Sequence, residues 1–457
     1  MKPKTITVFA QLCNMLPREP LIRISQDQTP SEDGRRFNAQ KFNTWDLLCA
    51  LIFCHLGRCT SLRCIEDGLF TSQQELHHAR QAQFLRRSIL SYINNHTNFS
   101  ILETYYYRVL EHFREALALK FSKTYTKPVF SLDSTTITLC YSLFPWARYR
   151  SHKGGFKLHT ALNHELLLPE VIDMTAGSVN DVKQAKAVIR QLPPDSIVVM
   201  DRGYNDYELF SWLSNRGTTF VTRLKDNALT TPLNNRCLAS VPGEWSLHSF
   251  EFCGIAARCC EGKSFRLVCW NDTENLRWFR FISNAENLTG PQIAQLYRDR
   301  WKIELFFKKL KQNLRVQNFI GRSLNAVMNQ IWGAMISVLL VDVLLRQAKY
   351  PWSFSRLFDY LSMNLLTHNN LMQIIERPNL PTEPNEGVFG RGATAVIRLT
   401  GDLGSPAKST SFEINELKRH DLPMHILFWT AMRRNNHEKD FGCCRRPRRF
   451  CRFCSGC

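Results

Sequence analysis

The sequence predicts an α/β fold, a mixed sheet with a β-rich insertion and a helical region before it, on three observations. Apolar residues at helical spacing fill residues 1–122, and no strand pattern competes with them there. Short β-branched runs then alternate with helical stretches up to about residue 225. Residues 226–286 return to short β-type runs broken by Asn, Gly and Pro, and helical patterns follow.

The first region is predicted to be helical because Trp45, Leu48, Ile52 and Leu56 recur at three- and four-residue intervals. From Gln73 onward the pattern mixes aromatic residues with arginines. That mixture fits a helical DNA-binding module, and it fits equally a plain helical bundle with a solvated basic face.

Three strands are predicted next, in the runs KPVFSLDSTTITLC, FKLHTAL and LLLPEVIDM. A helix follows over residues 181–192 and ends at a Pro-Pro pair. The run SIVVMD is apolar up to Asp201, as in a strand buried on both faces. A helix over residues 204–216 stops at Gly217, and TTFVTRL is the last strand of this part.

Long helices are predicted after the insertion, over residues 291–314, 324–349 and 352–366. The longest apolar stretch, Ile331 to Leu345, is interrupted by Asp342 and is shorter than the ~20 residues of a membrane span. We therefore predict a buried helix and no membrane association. The first twenty residues lack the apolar run of a secretory signal, which favours a cytoplasmic location.

The charge balance points to a polyanionic partner. The 457-residue chain has 59 Lys and Arg against 40 Asp and Glu, a formal net charge of +19. A basic protein kept soluble by its charge is the alternative interpretation. Hydrophobic residues make up 44% of the chain, which excludes wholesale disorder.

Two aspartates stand where predicted strands meet loops, Asp133 in FSLDSTT and Asp201 after SIVVM. Reactive groups gather at the carboxyl ends of strands in open α/β sheets, although acidic residues also end strands as turn formers. Four polar residues of the helix from residue 291 fall within about 60° of arc at 100° per residue: Tyr297, Arg300, Glu304 and Lys311. A surface ladder of salt bridges is the competing interpretation of that edge.

Three carboxylates brought together repel one another unless divalent cations neutralise them. Mg²⁺ fits best, with Mn²⁺ as an alternative, because it takes oxygen ligands and accepts carboxylates together with phosphate oxygens. Two such ions would activate a water or a 3′-hydroxyl and stabilise the departing oxygen. The sequence therefore predicts two-metal phosphodiester chemistry.

These residues carry a resemblance. YRDRWKIELFFKKLK has the spacing Tyr, two residues, Arg, three, Glu, six, Lys, and it resembles the YREK signature of the bacterial DDE transposases of the IS-four family. DSTTITLCYSLFPWARYRSHKGGFKLHTAL is similar to the first-aspartate segment of that family, and VVMDRGYNDYELF is similar to its second. TVFAQLCNMLPRE resembles the amino-terminal region of one branch. Together the resemblance covers roughly residues 5 to 370 and leaves the tail unmatched.

The resemblance implies a ribonuclease H-like core in which Asp133, Asp201 and Glu304 are the catalytic, metal-binding triad. The resemblance also implies DNA contacts by Tyr297, Arg300 and Lys311 at the terminal phosphate and by Trp278 on a flipped base. From their charge and position, Arg202, Lys153 and Lys157 are further predicted phosphate contacts. A core role for Trp278 and a solvated hairpin for the two lysines are the alternatives.

The implied activity is cut-and-paste transposition by metal-dependent cleavage and strand transfer at insertion-sequence ends. Its partners would be double-stranded DNA and a second copy of the chain, a homodimer in the bacterial nucleoid. A catalytically defective DNA-binding copy and a structure-specific nuclease are the alternatives. The domain boundaries are 1–122 (helical, DNA-end binding), 123–225 (first part of the catalytic core), 226–286 (β-rich insertion), 287–322 (catalytic core helix), 323–375 (C-terminal helical region) and 376–457 (Cys- and Arg-rich tail).

Overall fold

A computed structural model describes most of the first 376 residues. The described ranges are 6–28, 43–79, 86–118, 125–140, 142–150, 153–225, 228, 230–232, 245–272, 277–313 and 319–376. Apart from Arg277, these residues belong to one compact unit, Met1–Asp272 with Trp278–Pro381. The predicted tail, 376–457, lies outside the described residues except for Glu376.

The described part of the first region is helical, as the spacing predicts. Its helices are α1 Val8–Asn14, α2 Arg18–Asp27, α3 Thr44–Leu56, α4 Leu62–Phe70, α5 Arg87–His96, α6 Phe99–His112 and α7 Arg114–Leu117. Helix α3 begins at a reciprocal cap, because the Asn43 side chain accepts from Asp46 N and the Asp46 side chain accepts from Asn43 N. All of α3 after its first residue is buried.

The sheet contains ten strands in the described residues. They are β1 Val129–Leu139, β2 Arg148–Arg150, β3 Lys153–Asn163, β4 Pro169–Ala176, β5 Ile197–Met200, β6 Thr219–Arg223, β7 Thr230–Pro232, β8 Trp245–Phe252, β9 Phe265–Asp272 and β10 Arg277–Ser283. The order is β2-β3-β1-β5-β6-β10-β9-β8-β7, with β4 on β3. Strands β4, β3 and β1 are antiparallel, whereas β1, β5 and β6 are parallel.

This order is the ribonuclease H-like mixed sheet that the resemblance implies. The crossovers between its parallel strands carry α8 Asp181–Arg190 and α9 Tyr207–Asn215. The strands of the predicted insertion do not form a separate sheet, because β10 pairs antiparallel with β6 and continues the same one. That pairing could not be read from the sequence, since it joins segments about sixty residues apart.

The two faces of the sheet carry different cores because side chains alternate along a strand. Phe130 and Leu132 of β1 join the apolar cluster that includes α8 and α9. Ile137 and Leu139 of the same strand join the larger cluster formed with the helices. Strand β1 therefore has buried side chains on both faces. The residues between Leu132 and Ile137 are held in the orientation that this alternation gives them.

The helices after the sheet are α10 Gly290–Asp299, α11 Trp301–Lys308, α12 Leu324–Gln347, α13 Phe354–Asn364 and α14 Leu371–Glu376. The single helix predicted from Pro291 is divided at Arg300, and α11 passes into a π-helical turn at Lys309–Asn313. Arg300 keeps right-handed helical backbone angles, φ −52° and ψ −32°. The helical period therefore still places Tyr297, Arg300 and Glu304 on one face, as predicted.

Helix α12 is longer than the apolar stretch in the sequence indicates. By length and composition its 24 residues could cross a membrane, but its most apolar window is entirely buried inside the protein. The prediction of a buried helix is confirmed, while the argument from insufficient length was wrong. A Cβ on Gly333 would lie 2.8 Å from the Leu51 Cβ of α3, so this glycine lets the two helices approach closely.

Helix α1 is joined by main-chain hydrogen bonds to the end of α13 and to the turn after it. Val8 N donates to Thr367 O at 2.9 Å, and Phe9 N donates to Leu365 O at 2.8 Å. Helix α12 packs against α3, α5, α6 and α7. The early helices therefore share one core with the helices that close the described part of the chain.

His164 contacts strand β1, and its depressed pKa makes stability depend on pH. Its Nε2 lies 2.6 Å from Ser131 Oγ. Burial, and then the charge of Lys302, lower the pKa of His164 to about 4, while Asp299 opposes them. Between pH 4 and about 6.5 the unfolded chain binds a proton that the folded chain does not, so stability falls as the pH falls.

We expect the free energy of unfolding to drop by about 2 kcal/mol between pH 7.5 and pH 5 through this histidine alone. Urea unfolding of the wild type and of His164→Gln at both pH values measures it, because the variant lacks this contribution and keeps all others. An equal drop in the two proteins would show that His164 is protonated in the folded state at pH 5.

Candidate active site

The pairing of β1 with β5 places Asp133 beside Asp201. Leu132 pairs with Met200, the last residue of β5, and the next residues along the two parallel strands are the two aspartates. Partners on adjacent parallel strands point to the same side of a sheet. The carboxyl end of β5 therefore brings both side chains to one edge, as the sequence predicts.

Asp201 is held by the turn that follows it. Its Oδ1 accepts from Gly203 N at 2.5 Å, and its main-chain oxygen accepts from Thr222 Oγ1 at 2.9 Å. A Cβ on Gly203 would lie 2.8 Å from Asp201 Oδ1, so only glycine fits without displacing the carboxylate. The turn thus fixes the orientation of the Asp201 side chain.

Arg300 joins the sheet to Glu304. Its Nη1 lies 3.4 Å from Asp133 Oδ2, and its Nη2 lies 2.8 Å from Glu304 Oε1. The Arg300 side chain is only 7% exposed, against 21% for Asp133 and 29% for Glu304. The predicted polar edge of the helix is therefore turned inward onto the sheet and is not a surface ladder.

The carboxylates influence one another. Burial raises the pKa of Asp133 to about 7; Arg300 opposes this, and the charges of Asp201 and Glu304 add to it. Burial also raises the pKa of Glu304, with Arg300 opposing and Asp201 contributing. Both shifts have the sign expected where negative charge is concentrated away from water. A cation near these groups would relieve that repulsion.

Tyr297 lines the same edge. It is buried, and its ring lies 5.7 Å from Arg300 Cζ and 4.9 Å from the ring of Phe281. Burial raises the pKa of its hydroxyl, so this group is a neutral hydrogen-bond donor at neutral pH.

The donor set fits a hard divalent cation by its chemistry, since it offers carboxylate oxygens only. In the described part of the chain, however, no three Asp, Glu, His or Cys side chains are arranged to hold a metal ion. The guanidinium of Arg300 lies between Asp133 and Glu304 and neutralises them. Binding of one cation by all three carboxylates would require Arg300 to break its contacts with Asp133 and Glu304.

Comparison with known proteins shows what parts of the chain are similar to. Residues 124–340 match the family model of the transposase DDE domain, and residues 4–79 match a family described only as a domain of unknown function. A Geobacillus stearothermophilus protein named "Probable transposase for insertion sequence element IS5377" is 31% identical over 239 residues, 52% of this chain and 62% of that protein. Residues 124–340 are therefore similar to the DDE domain of transposases, and the relatives that the chain resembles are named as transposases of insertion sequences or as a transposase.

Two further relatives are named as transposases. A Sinorhizobium fredii protein named "Putative transposase y4zB" is 26% identical over 267 residues, 56% of this chain and 70% of that protein. A Synechocystis protein named "Putative transposase for insertion sequence element IS4SA" is 27% identical over 220 residues, 47% of this chain and 60% of that protein. The matches thus span 60 to 70% of the length of these transposases. The transposase domain match includes Asp133, Asp201 and Glu304.

Other residues predicted to contact DNA lie apart from this edge or are engaged within the protein. Trp278 is 59% exposed on β10, so a role in the hydrophobic core is excluded. Lys157 donates to Val179 O at 2.9 Å and to Asp181 Oδ1 at 3.0 Å, which engages its ammonium in an internal ion pair. The side chain of Lys153 is outside the described residues.

Arg202 and Lys311 lie on segments that adjoin the triad. Arg202 directly follows Asp201 and is exposed. Lys311 lies in the π-helical turn after α11, half-buried, and burial lowers its pKa. The assignment of both residues to DNA contacts stays a prediction.

Sequence reasoning missed Tyr204 and assigned it to a helix. In the structure α9 begins at Tyr207 behind the Asp206 cap, whose Oδ1 accepts from Leu209 N at 2.8 Å. Tyr204 instead ends the single 3₁₀ turn after Asp201 and is buried. The signal in the sequence was its position three residues after a candidate catalytic aspartate.

Proposed function

We propose that this protein catalyses cut-and-paste transposition by cleaving DNA at the ends of an insertion sequence and joining the ends to target DNA. The observation that carries the proposal is the contact of the buried Arg300 with Asp133 of β1 and Glu304 of α11, next to Asp201 at the end of β5. The similarity of residues 124–340 to the transposase DDE domain supports the same chemistry.

Asp133, Asp201 and Glu304 are the residues that would hold Mg²⁺ or Mn²⁺, two ions in the active state. Bound there, the cations would activate an attacking water or 3′-hydroxyl and stabilise the leaving oxygen. The raised pKa of Asp133 is consistent with this role, because the anionic form of its carboxyl needs a nearby positive charge.

Arg300, Tyr297 and Lys311 would bind the substrate phosphates at the same edge. A guanidinium forms paired hydrogen bonds to phosphate oxygens, a lysine supplies a point charge and a tyrosine adds a neutral donor. Arg300 is positioned to exchange its carboxylate contacts for phosphate contacts, since both partners are oxygen anions. Trp278 and Arg202 would contact the DNA outside the triad.

The partner in this proposal is double-stranded DNA, both the element ends and the target. The net charge of +19 favours association with a polyanion. The helices of residues 1–122 would bind the ends, and a homodimer in the bacterial nucleoid would hold two ends together.

The test is an assay with Mg²⁺ and a labelled duplex that carries the end of the element, resolved on denaturing and native gels. We expect cleavage at the element boundary followed by joined products. Glu304→Gln should lose cleavage, whereas Glu286→Gln, the same change at an exposed glutamate, should keep it.

Other outcomes of this assay decide between the alternatives. Binding without cleavage by the wild type would identify a defective copy that occupies the ends. Cleavage without joined products would identify a nuclease. Full cleavage by Glu304→Gln would remove Glu304 from the triad.

A further inference from the structure

The guanidinium of Arg300 contacts two of the three carboxylates that are proposed to hold the cations. Its Nη1 donates to Asp133 Oδ2 at 3.4 Å, and its Nη2 donates to Glu304 Oε1 at 2.8 Å. The other oxygen of Asp133, Oδ1, accepts from Ser134 N at 2.7 Å. In this state of the protein, one positively charged side chain therefore binds both carboxylates.

A divalent cation and this guanidinium compete for the same carboxylate oxygens. The Arg300 side chain is buried, and positive charges that lie close together away from water repel one another strongly. An arginine cannot yield by losing its proton, because its guanidinium stays charged in proteins. A cation can therefore bind Asp133 together with Glu304 only after the guanidinium has left them.

The same guanidinium has a donor that the carboxylates do not satisfy. Arg300 Nε is buried, and in the part of the chain that the structure describes it has no hydrogen-bond partner. A buried N–H without an acceptor costs stability. The contact with Asp133 is also long for a charged hydrogen bond. A phosphate group, which offers several anionic oxygens to a guanidinium, can therefore satisfy Arg300 better than the two carboxylates do.

We propose that Arg300 couples the binding of divalent cations to the binding of DNA. It occupies the carboxylates in the free protein and releases them when a DNA phosphate binds its guanidinium. This inference rests on the proposed function and adds an order to it, in which DNA binds before the site holds its full set of cations. Because coupling between two ligands is reciprocal, bound cations raise the affinity for DNA by the same factor.

A general effect of charge predicts a different result. Any arginine near the site weakens cation binding by its charge, so its removal would raise the cation affinity by the same factor with and without DNA. If Arg300 is the coupling residue, its removal also takes away part of the effect that DNA has on cation binding. A comparison of the two factors therefore separates coupling from simple repulsion.

The experiment measures Mn²⁺ affinity for the wild type, for Arg300→Gln and for the control Arg298→Gln, from the loss of the electron paramagnetic resonance signal of free Mn²⁺. Each protein is titrated alone and on a duplex that ends at the element boundary, and the Mn²⁺ bound by the duplex itself is subtracted. Without DNA, Arg300→Gln should bind Mn²⁺ about 10-fold more tightly than the wild type. The duplex should raise the affinity of the wild type about 10-fold and that of Arg300→Gln about 2-fold, while Arg298→Gln follows the wild type.

An equal gain from the duplex in the wild type and in Arg300→Gln would overturn the inference, and so would a wild type that binds Mn²⁺ equally well with and without DNA. If Arg300→Gln does not fold, Arg300→Lys replaces it. Its ammonium keeps the charge but lacks the fork that contacts two carboxylates, so its gain from the duplex should also be smaller than that of the wild type. If the wild type does not bind the duplex, the proposed function fails, and the affinities without DNA still decide whether Arg300 blocks the carboxylates.

Discussion

Asp201→Asn is expected to lower DNA cleavage by roughly 10³-fold or more and to leave binding of the element end intact. Electrostatic groups at phosphoryl-transfer sites contribute roughly 10³ to 10⁵ in rate. The substitution removes one negative charge and keeps an oxygen that can accept from Gly203 N, so the turn after β5 should persist. Binding relies on basic residues elsewhere and should not change.

The matched control is Asp195→Asn. Asp195 lies at the amino end of β5, where it pairs with Lys127 at the surface, so the same change of charge occurs at the opposite end of one strand. Cleavage of the labelled duplex and its binding in a gel-shift assay are measured for both variants. Cleavage retained by Asp201→Asn would exclude this aspartate from the triad, and a matching loss in Asp195→Asn would indicate a nonspecific effect of charge.

Arg300→Ala is expected to lower the free energy of unfolding by about 3–5 kcal/mol and to abolish cleavage. Removing one partner of a buried ion pair leaves the other charge without compensation. Here the change leaves Asp133 and Glu304 facing each other, and the stacking of the guanidinium on Tyr297 is lost as well. Urea unfolding without divalent cations measures the loss.

Two further variants separate charge from packing. Arg298→Ala changes the same charge two residues away, outside this ion-pair network, and should cost no more than about 1 kcal/mol. Adding Asp133→Asn to Arg300→Ala removes one of the uncompensated charges and should recover part of the stability. If the double variant is as unstable as the sum of the single ones, Arg300 stabilises the fold through packing and not through these carboxylates.

The sequence predicted the positions of the candidate triad from local rules, and two of these hold in the structure. Asp201 directly follows β5, and the helical period places Arg300 and Glu304 on one face because Arg300 keeps a helical backbone. The third rule was wrong, because Asp133 was predicted where a strand meets a loop but lies inside β1; the parallel pairing of β1 with β5 brings it beside Asp201.

What the sequence could not predict depends on contacts between distant segments. The position of Arg300 between Asp133 and Glu304 arises from packing α11 on β1, 167 residues apart along the chain. The internal pairing of Lys157 with Asp181 likewise needs the sheet to be assembled. Sequence periodicity indicates neither contact. A basic residue such as Lys157, next to a turn, therefore could not be distinguished from a residue that contacts DNA.

Because the early helices pack against α12, their core can form only after α12 has been synthesised. Helix α3 buries all but its first residue, largely against a segment that leaves the ribosome about 280 residues later, and α1 awaits its partners Leu365 and Thr367 later still. The early helices must remain without their native core while the whole sheet is translated. A product truncated before Leu324 is therefore expected to be a substrate for chaperones and proteases, and not a competing DNA-binding fragment.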